Sequence, residues 1–152
     1  RFPSRPTRTG PVHSGVDQAA GGFPLELRTE GLAFSIMFTP PDEEGWMWCN
    51  AIVDVPGFRG DFDFQMLRTD LDPFHAELVH SLDMSNWPCE VGLASTDAGV
   101  DLSFRVELTG RLTGAYQFGG DNRPSLSGAF TMDQTYLGPL LAQVNRLLSD
   151  LA

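Results

Sequence analysis

Cysteine is scarce in this chain. Cys49 and Cys89 are the only two, and no short paired spacing marks a zinc site or a redox dithiol. One disulfide is open to them, but each sits beside strand-like apolar residues and a tryptophan, in Trp48-Cys49 and Trp87-Pro88-Cys89, which favours buried free thiols. Basic residues are few as well. Ten Lys plus Arg against twenty Asp plus Glu give a formal charge of -10, which disfavours nucleic acid and anionic membrane surfaces as partners. No apolar run approaches the length of a membrane span, and the opening residues lack the basic-then-apolar pattern of a secretion signal, so a cytoplasmic location is expected. There is no G-x-G-x-x-G, no phosphate loop with a following lysine, no H-x-x-x-H pair and no G-x-S-x-G elbow. No cofactor and no metal site is expected. His75 and His80, five residues apart on a predicted helix, point in different directions and read as structural histidines.

What is present is enough apolar material for one core: 41% of 152 residues, sufficient for a single domain without staples. Residues 1–22 stand apart. They carry Pro3, Pro6 and Pro11 among Arg, Ser, Thr and Gly, and read as a flexible N-terminal segment whose Arg1, Arg5, Arg8 and His13 form a small basic handle or merely face solvent. Residues 23–152 read as one β-rich α+β domain.

Val100 to Thr109 is the cleanest strand signal. Val100, Leu102, Phe104, Val106 and Leu108 fall on one side and Asp101, Ser103, Arg105, Glu107 and Thr109 on the other. Leu25 to Thr29 and Leu32 to Thr39 flank a Glu30-Gly31 turn, with Leu32, Phe34, Ile36 and Phe38 as the core side. In Trp46 to Val55, Met47, Cys49, Ala51, Val53 and Val55 are expected to face the core. Trp46, Trp48, Asn50, Ile52 and Asp54 lie on the other side, where the two tryptophans cover another layer or form a partner surface. Pro56-Gly57 ends that strand and Phe58-Arg59-Gly60 begins the next hairpin arm, after which Asp61 to Met66 alternate, the aromatic side burying while Asp61 and Asp63 stay on the solvent side. Further strands are expected at Glu90 to Ser95, around Tyr116 and Phe118, and at Leu126 to Asp133, with a loop or bulge at Arg111 to Thr113.

Two helices are predicted. The first begins near Leu71, capped by Thr69 or Asp70, and ends between Asp83 and Asn86. Phe74, Leu78 and either Val79 or Leu82 are its apolar face, and Glu77 its wet side. The second covers Leu137 to Leu151, where Leu137, Leu140, Leu141, Val144, Leu147, Leu148 and Leu151 form a stripe that docks on the sheet. The expected architecture is α+β: a curled antiparallel β-sheet or barrel-like sandwich of seven or eight strands with two packed helices.

Candidate chemistry is confined to carboxylates and tryptophans. Asp61 and Asp63, two apart on a strand, present both carboxylates on one side, an arrangement open to acid-base work or to holding a divalent ion beside a phosphate. Alternating charge on a solvated strand face explains the same pattern. Asp42, Glu43 and Glu44 form an acidic loop without the oxygen spacing or sharp-turn glycine of a calcium loop. The acidity serves solubility or the recognition of a basic partner.

The stretches GFRGDFDF at Gly57 to Phe64, LDPFHAELVHSL at Leu71 to Leu82, VDLSFRVELTGRL at Val100 to Leu112 and FTMDQTYL at Phe130 to Leu137 together resemble a bacterial family of small proteins. That family is similar to WapI-type immunity proteins of polymorphic-toxin systems. The resemblance spans most of Leu25 to Leu151 and implies neutralisation of a cognate toxin by binding rather than turnover. It brings no catalytic residues. The partner-binding candidates are Asp42, Glu43, Glu44, Trp46, Trp48, Asp61 and Asp63, whose acids suit a basic partner and whose indoles supply anchor area. The other classes to weigh are a carboxylate-dependent enzyme with an acidic pocket and a structural or regulatory interaction scaffold.

Overall fold

The computed structural model describes residues 23–152, so the basic handle expected within residues 1–22 lies outside the described part. Strands β1 (Phe23–Arg28), β2 (Ala33–Phe38), β3 (Trp46–Val55) and β4 (Phe58–Leu67) form an antiparallel meander, and a 3-10 turn at Arg68–Asp70 leads into helix α1 (Leu71–Ser81). The pattern then recurs. Strands β5 (Cys89–Ala94), β6 (Val100–Val106), β7 (Arg111–Gly119) and β8 (Ser125–Asp133) form a second meander, and a 3-10 turn at Gln134–Tyr136 leads into helix α2 (Leu137–Asp150). The class is the expected α+β, with the strands divided between two four-stranded sheets. Among the described residues, no helix is long and apolar enough to cross a membrane.

Alternation along each strand sends one side chain in two to the core. Leu25, Ile36, Ala51 and Phe64 are buried on the first sheet, and Val91, Leu102, Phe104 and Phe118 on the second. The two inner faces meet through aromatic rings: Phe118 lies 5.7 Å from Phe34 and 6.1 Å from Phe62, centroid to centroid. Both thiols are free, with Cys49 buried on the inner side of β3.

The two meander-helix units share a sequence pattern. A shift of 66 residues carries Phe64, Met66, Thr69, Leu71 and Pro73 onto Phe130, Met132, Thr135, Leu137 and Pro139. The same shift relates their most informative contacts. Glu77 on α1 accepts the backbone N–H of Gly92 on β5 at 2.8 Å, and Gln143 on α2 accepts that of Glu26 on β1 at 2.7 Å while donating to the Glu26 carbonyl at 2.9 Å. Each helix therefore covers the edge strand of the other unit's sheet. An uncovered edge presents unpaired backbone groups that pair readily with other chains, so both contacts guard the molecule against aggregation.

Several expectations require correction. The strand at Val100 stops at Val106, because Gly110 N–H bonds the Glu107 carbonyl with Gly110 at φ 86° and Glu107 N–H bonds the Arg111 carbonyl, closing a tight turn. Leu108 sits in that turn with 73% of its surface exposed. Arg111 to Thr113 is consequently not a loop but the start of β7. Helix α1 ends at Ser81, and Val79 and Leu82 are both exposed. Neither expected cap operates there: Asp70 accepts instead from Leu67 N–H at 3.0 Å, Thr96 N–H at 2.9 Å and the Thr96 hydroxyl at 2.7 Å. That carboxylate ties the entry of α1 to the turn between β5 and β6. Glu77 is not simply wet, as its bond to Gly92 shows, and Val55 is only half-buried.

Candidate functional site

The outer face of the first sheet gathers most of the partner-binding candidates. In the register of β2, β3 and β4, Asn50 stands between Met37 and Asp63, Ile52 between Ser35 and Asp61, and Trp48 beside Gln65. Trp46 and Trp48 are half-buried on the side of β3 opposite the core residues Met47, Cys49, Ala51 and Val53. Trp48 is fixed by Thr39, whose N–H donates to the Trp48 carbonyl at 3.0 Å and whose hydroxyl accepts the Trp48 N–H at 3.0 Å.

Asp61 and Asp63 do not simply alternate into solvent. The Asn50 side-chain amide donates to Asp61 Oδ1 at 2.6 Å, to Asp63 Oδ1 at 2.9 Å and to the Phe62 carbonyl at 3.3 Å. Asn50 is 8% exposed, so this buried amide fixes two carboxylates on the surface above it. A buried polar side chain needs partners, and an asparagine amid an apolar strand opposite a D-x-D pair was the available signal for this clamp. Sequence reasoning placed Asn50 on this face without giving it a role.

The acidic loop lies at one end of the same face. Asp42 Oδ1 accepts the N–H groups of Glu44 and Trp46, each at 2.9 Å, which fixes the turn and leaves Glu43 and Glu44 exposed. Trp46 and Ile52, the latter opposite Asp61, are six residues apart on β3, about 20 Å along the strand. Acids thus stand at one end and in the middle of the face, with the two tryptophans between them. A second polar group unforeseen in the sequence braces the free edge of β4. Asp97 accepts Gln65 N–H at 3.2 Å, and the Arg123 guanidinium reaches the carbonyls of Asp63 and Asp97 at 3.4 and 3.5 Å.

The second unit provides an internal comparison. Arg111 opposes Asp133 as Trp46 opposes Leu67, and Ala115 opposes Ala129 as Asn50 opposes Asp63. Arg111, Thr113 and Ala115 therefore occupy the positions of Trp46, Trp48 and Asn50, and Ser127 and Ala129 those of Asp61 and Asp63. The same meander forms without tryptophan, asparagine or acid at these places. The fold does not demand the acid-tryptophan face.

On the second sheet's outer side a shallow depression is lined by Glu90, Ser103, Arg105, Thr113 and Gly114. Its one carboxylate, Glu90, is paired with Arg105 at 3.5 Å. His75 Nε2 bonds Asn145 Oδ1 at 2.7 Å, and His80 is exposed. Among the described residues, no group of three or more His, Cys, Asp or Glu converges as metal ligands. The Cys49 thiol is pushed far above its ordinary value, first by burial and then by the negative charges of Asp70 and Asp97. It is held as an inert core thiol.

Neither a protein family nor a curated protein matches this sequence. Among solved structures, the plant transcriptional regulator PBF-2 is similar at a TM-score of 0.44 and 13% identity, covering 86% of this chain and 82% of that one.

Proposed function

We propose that this protein is a non-enzymatic protein-binding domain that takes a basic partner on the outer face of its first sheet, in the manner of an immunity protein neutralising a cognate toxin. The observation carrying this reading is the difference between the two units. One sheet displays Trp46, Trp48 and the Asn50-clamped Asp61 and Asp63, while the other is built equally well from Arg111, Thr113, Ala115, Ser127 and Ala129. Residues that the architecture does not require, and that include two half-buried tryptophans, have the composition of an interface anchor. Carboxylates held in place before binding lose little further freedom when an arginine or lysine meets them, and they steer a basic protein toward the face.

The reading is tested by expressing the chain with toxin domains encoded in neighbouring reading frames, measuring direct association and rescue of growth. Association that weakens at least tenfold in Trp48→Ala and in Asp61→Asn/Asp63→Asn, with rescue lost in parallel, is the expected result. No association with any such domain and no rescue would overturn the proposal. An enzyme acting through the same acids would instead lose turnover of a small substrate in these variants.

A further inference from the structure

We infer that strand β8 is an interface for a second copy of this chain, the two joining edge to edge about a twofold axis at Ser127 to make one continuous antiparallel sheet. The direction of the backbone groups is the first argument. Glu107 N–H bonds the Arg111 carbonyl across β6 and β7, so Arg111 and every second residue after it on β7 face β6. The intervening residues of β7 bond β8 through Leu126, Gly128, Phe130 and Met132. Ser125, Ser127, Ala129 and Thr131 therefore point their N–H and carbonyl groups away from the sheet.

The four sheet edges are not protected alike, which is the second argument. Helix α2 covers β1 through Gln143, and α1 covers β5 through Glu77. At β4, Asp97 takes the Gln65 N–H and Arg123 reaches the Asp63 carbonyl. The shift of 66 residues that relates the two units puts Gly31 where Asp97 stands and Gly57 where Arg123 stands. The turn at Gly31 passes beside β8, where a carbon added to it would lie 3.9 Å from the Ala129 carbonyl oxygen, but it has no side chain to offer. Asp63 and Gln65 are half-buried, whereas their counterparts Ala129 and Thr131 are exposed. Among the described residues, β8 is the edge that no side chain braces.

Charge and shape select the occupant. Strand β1 carries Glu26 and Arg28, β4 carries Arg59, Asp61 and Asp63, and β5 carries Glu90, whereas Ser125 to Met132 carry no charge. In a chain of net charge -10, that strip is where two copies meet without opposing carboxylates. Antiparallel pairing with Ser127 opposite itself sets Ser125 opposite Ala129 of the second copy, and each such pair exchanges two backbone hydrogen bonds. On the inner side the same register sets half-buried Leu126 opposite exposed Gly128 of the second copy, beside the Tyr116 ring that lies over that glycine. The contact is isologous and uses up the edge of both molecules, so assembly stops at two. Trp48 lies on the other sheet, so the dimer does not rest on the proposed function and presents that face twice.

Sedimentation of the full chain over a range of concentrations reads the assembly directly, and a concentration-dependent dimer is the expected result. Ser127→Pro removes an outward N–H but no ladder bond, and Ser127→Glu sets two carboxylates against each other on the axis. Each should weaken dimerisation at least tenfold while the circular dichroism spectrum stays that of the folded chain, and Trp48→Ala should leave the dimer unchanged. Should Ser127→Pro not fold, Ser127→Glu, at an exposed site, carries the test. A second readout places Ser127→Cys in a Cys89→Ser chain, where the two copies of residue 127 have Cα atoms about 5.5 Å apart, within disulfide reach. Mild oxidation should link this variant several-fold faster than Ser103→Cys, an exposed site two strands inward on the same outer face. A chain that stays monomeric up to about 1 mM, where even millimolar affinity registers, would leave the edge to a foreign segment and overturn the proposal. A dimer that withstands both Ser127 substitutions, a dimer lost in Trp48→Ala, or equal linking of the two cysteine variants would overturn it as well. If the dimer forms at Ser127 while no basic toxin domain binds, the interface stands and the proposed function falls.

Discussion

Glu77 accepts the backbone N–H of Gly92 at 2.8 Å, a bond from the first helix to the edge strand of the second sheet. Gln143 does the same for Glu26 in the other unit at 2.7 Å. An amide therefore suffices where a carboxylate stands. Glu77→Gln should leave stability nearly unchanged, whereas Glu77→Leu should cost about 1 kcal/mol by stranding the half-buried Gly92 donor. Urea unfolding of the two variants checks this, and equal losses would show that the bond contributes nothing.

Two short acid caps give stability a pH dependence of known sign. Asp83 is held below the usual carboxylate value by the Ser85 hydroxyl first and the Ser85 N–H second. Asp133 is likewise held down by the Thr135 hydroxyl and then its N–H. A depressed folded-state value means that the native state favours the charged form. The contribution is present above the unfolded value near 3.8 and disappears as pH falls through the lower folded value. Asp83→Asn and Asp133→Asn should each lower the midpoint of thermal unfolding at pH 7 and converge on the unaltered protein under strongly acidic conditions. A deficit that stayed constant with pH would contradict this account.

The thiols should differ in reactivity. Both are raised above their ordinary value by burial, Cys49 further by Asp70 and Asp97, whereas Arg105 acts on Cys89 in the opposite direction. The thiolate is the reactive form, so a disulfide reagent at pH 8 should modify Cys89 first and leave Cys49 intact until the protein unfolds. Rapid modification of Cys49 in the native protein would show that the inner face of β3 opens.

The end of β6 can be located by substitution. Leu102 is buried, and Leu102→Ala should cost about 2–5 kcal/mol, whereas Leu108→Ala, in the exposed turn, should stay within about 0.5 kcal/mol. Chemical denaturation of both variants distinguishes a strand that stops at Val106 from one that continues.

Much of the scaffold was legible because period-two alternation is a local signal. It gave the inner faces of β2 and β3, and the leucine stripe gave α2. Leu108 misled because the alternation ran two residues beyond the last ladder pair, and only the Glu107 to Gly110 turn reveals where pairing stops. Helical spacing alone makes Glu77 a solvated residue, because its partner Gly92 lies on a strand that this spacing does not place. The tryptophans and aspartates were legible individually, and their sharing of one face followed once β3 and β4 paired in register. The clamp role of Asn50 is not legible along the chain, since its partners lie across the ladder.

The crossed helices make the molecule a pair of interlocked halves on one polypeptide, each covering an edge that the other leaves bare. A chain cut in the exposed 3-10 turn at Met84–Asn86 would separate α1 from β5, the strand it protects, and α2 from β1. Two such fragments, produced separately, should reassemble on mixing as a one-to-one complex, while either alone should aggregate through its uncovered edge.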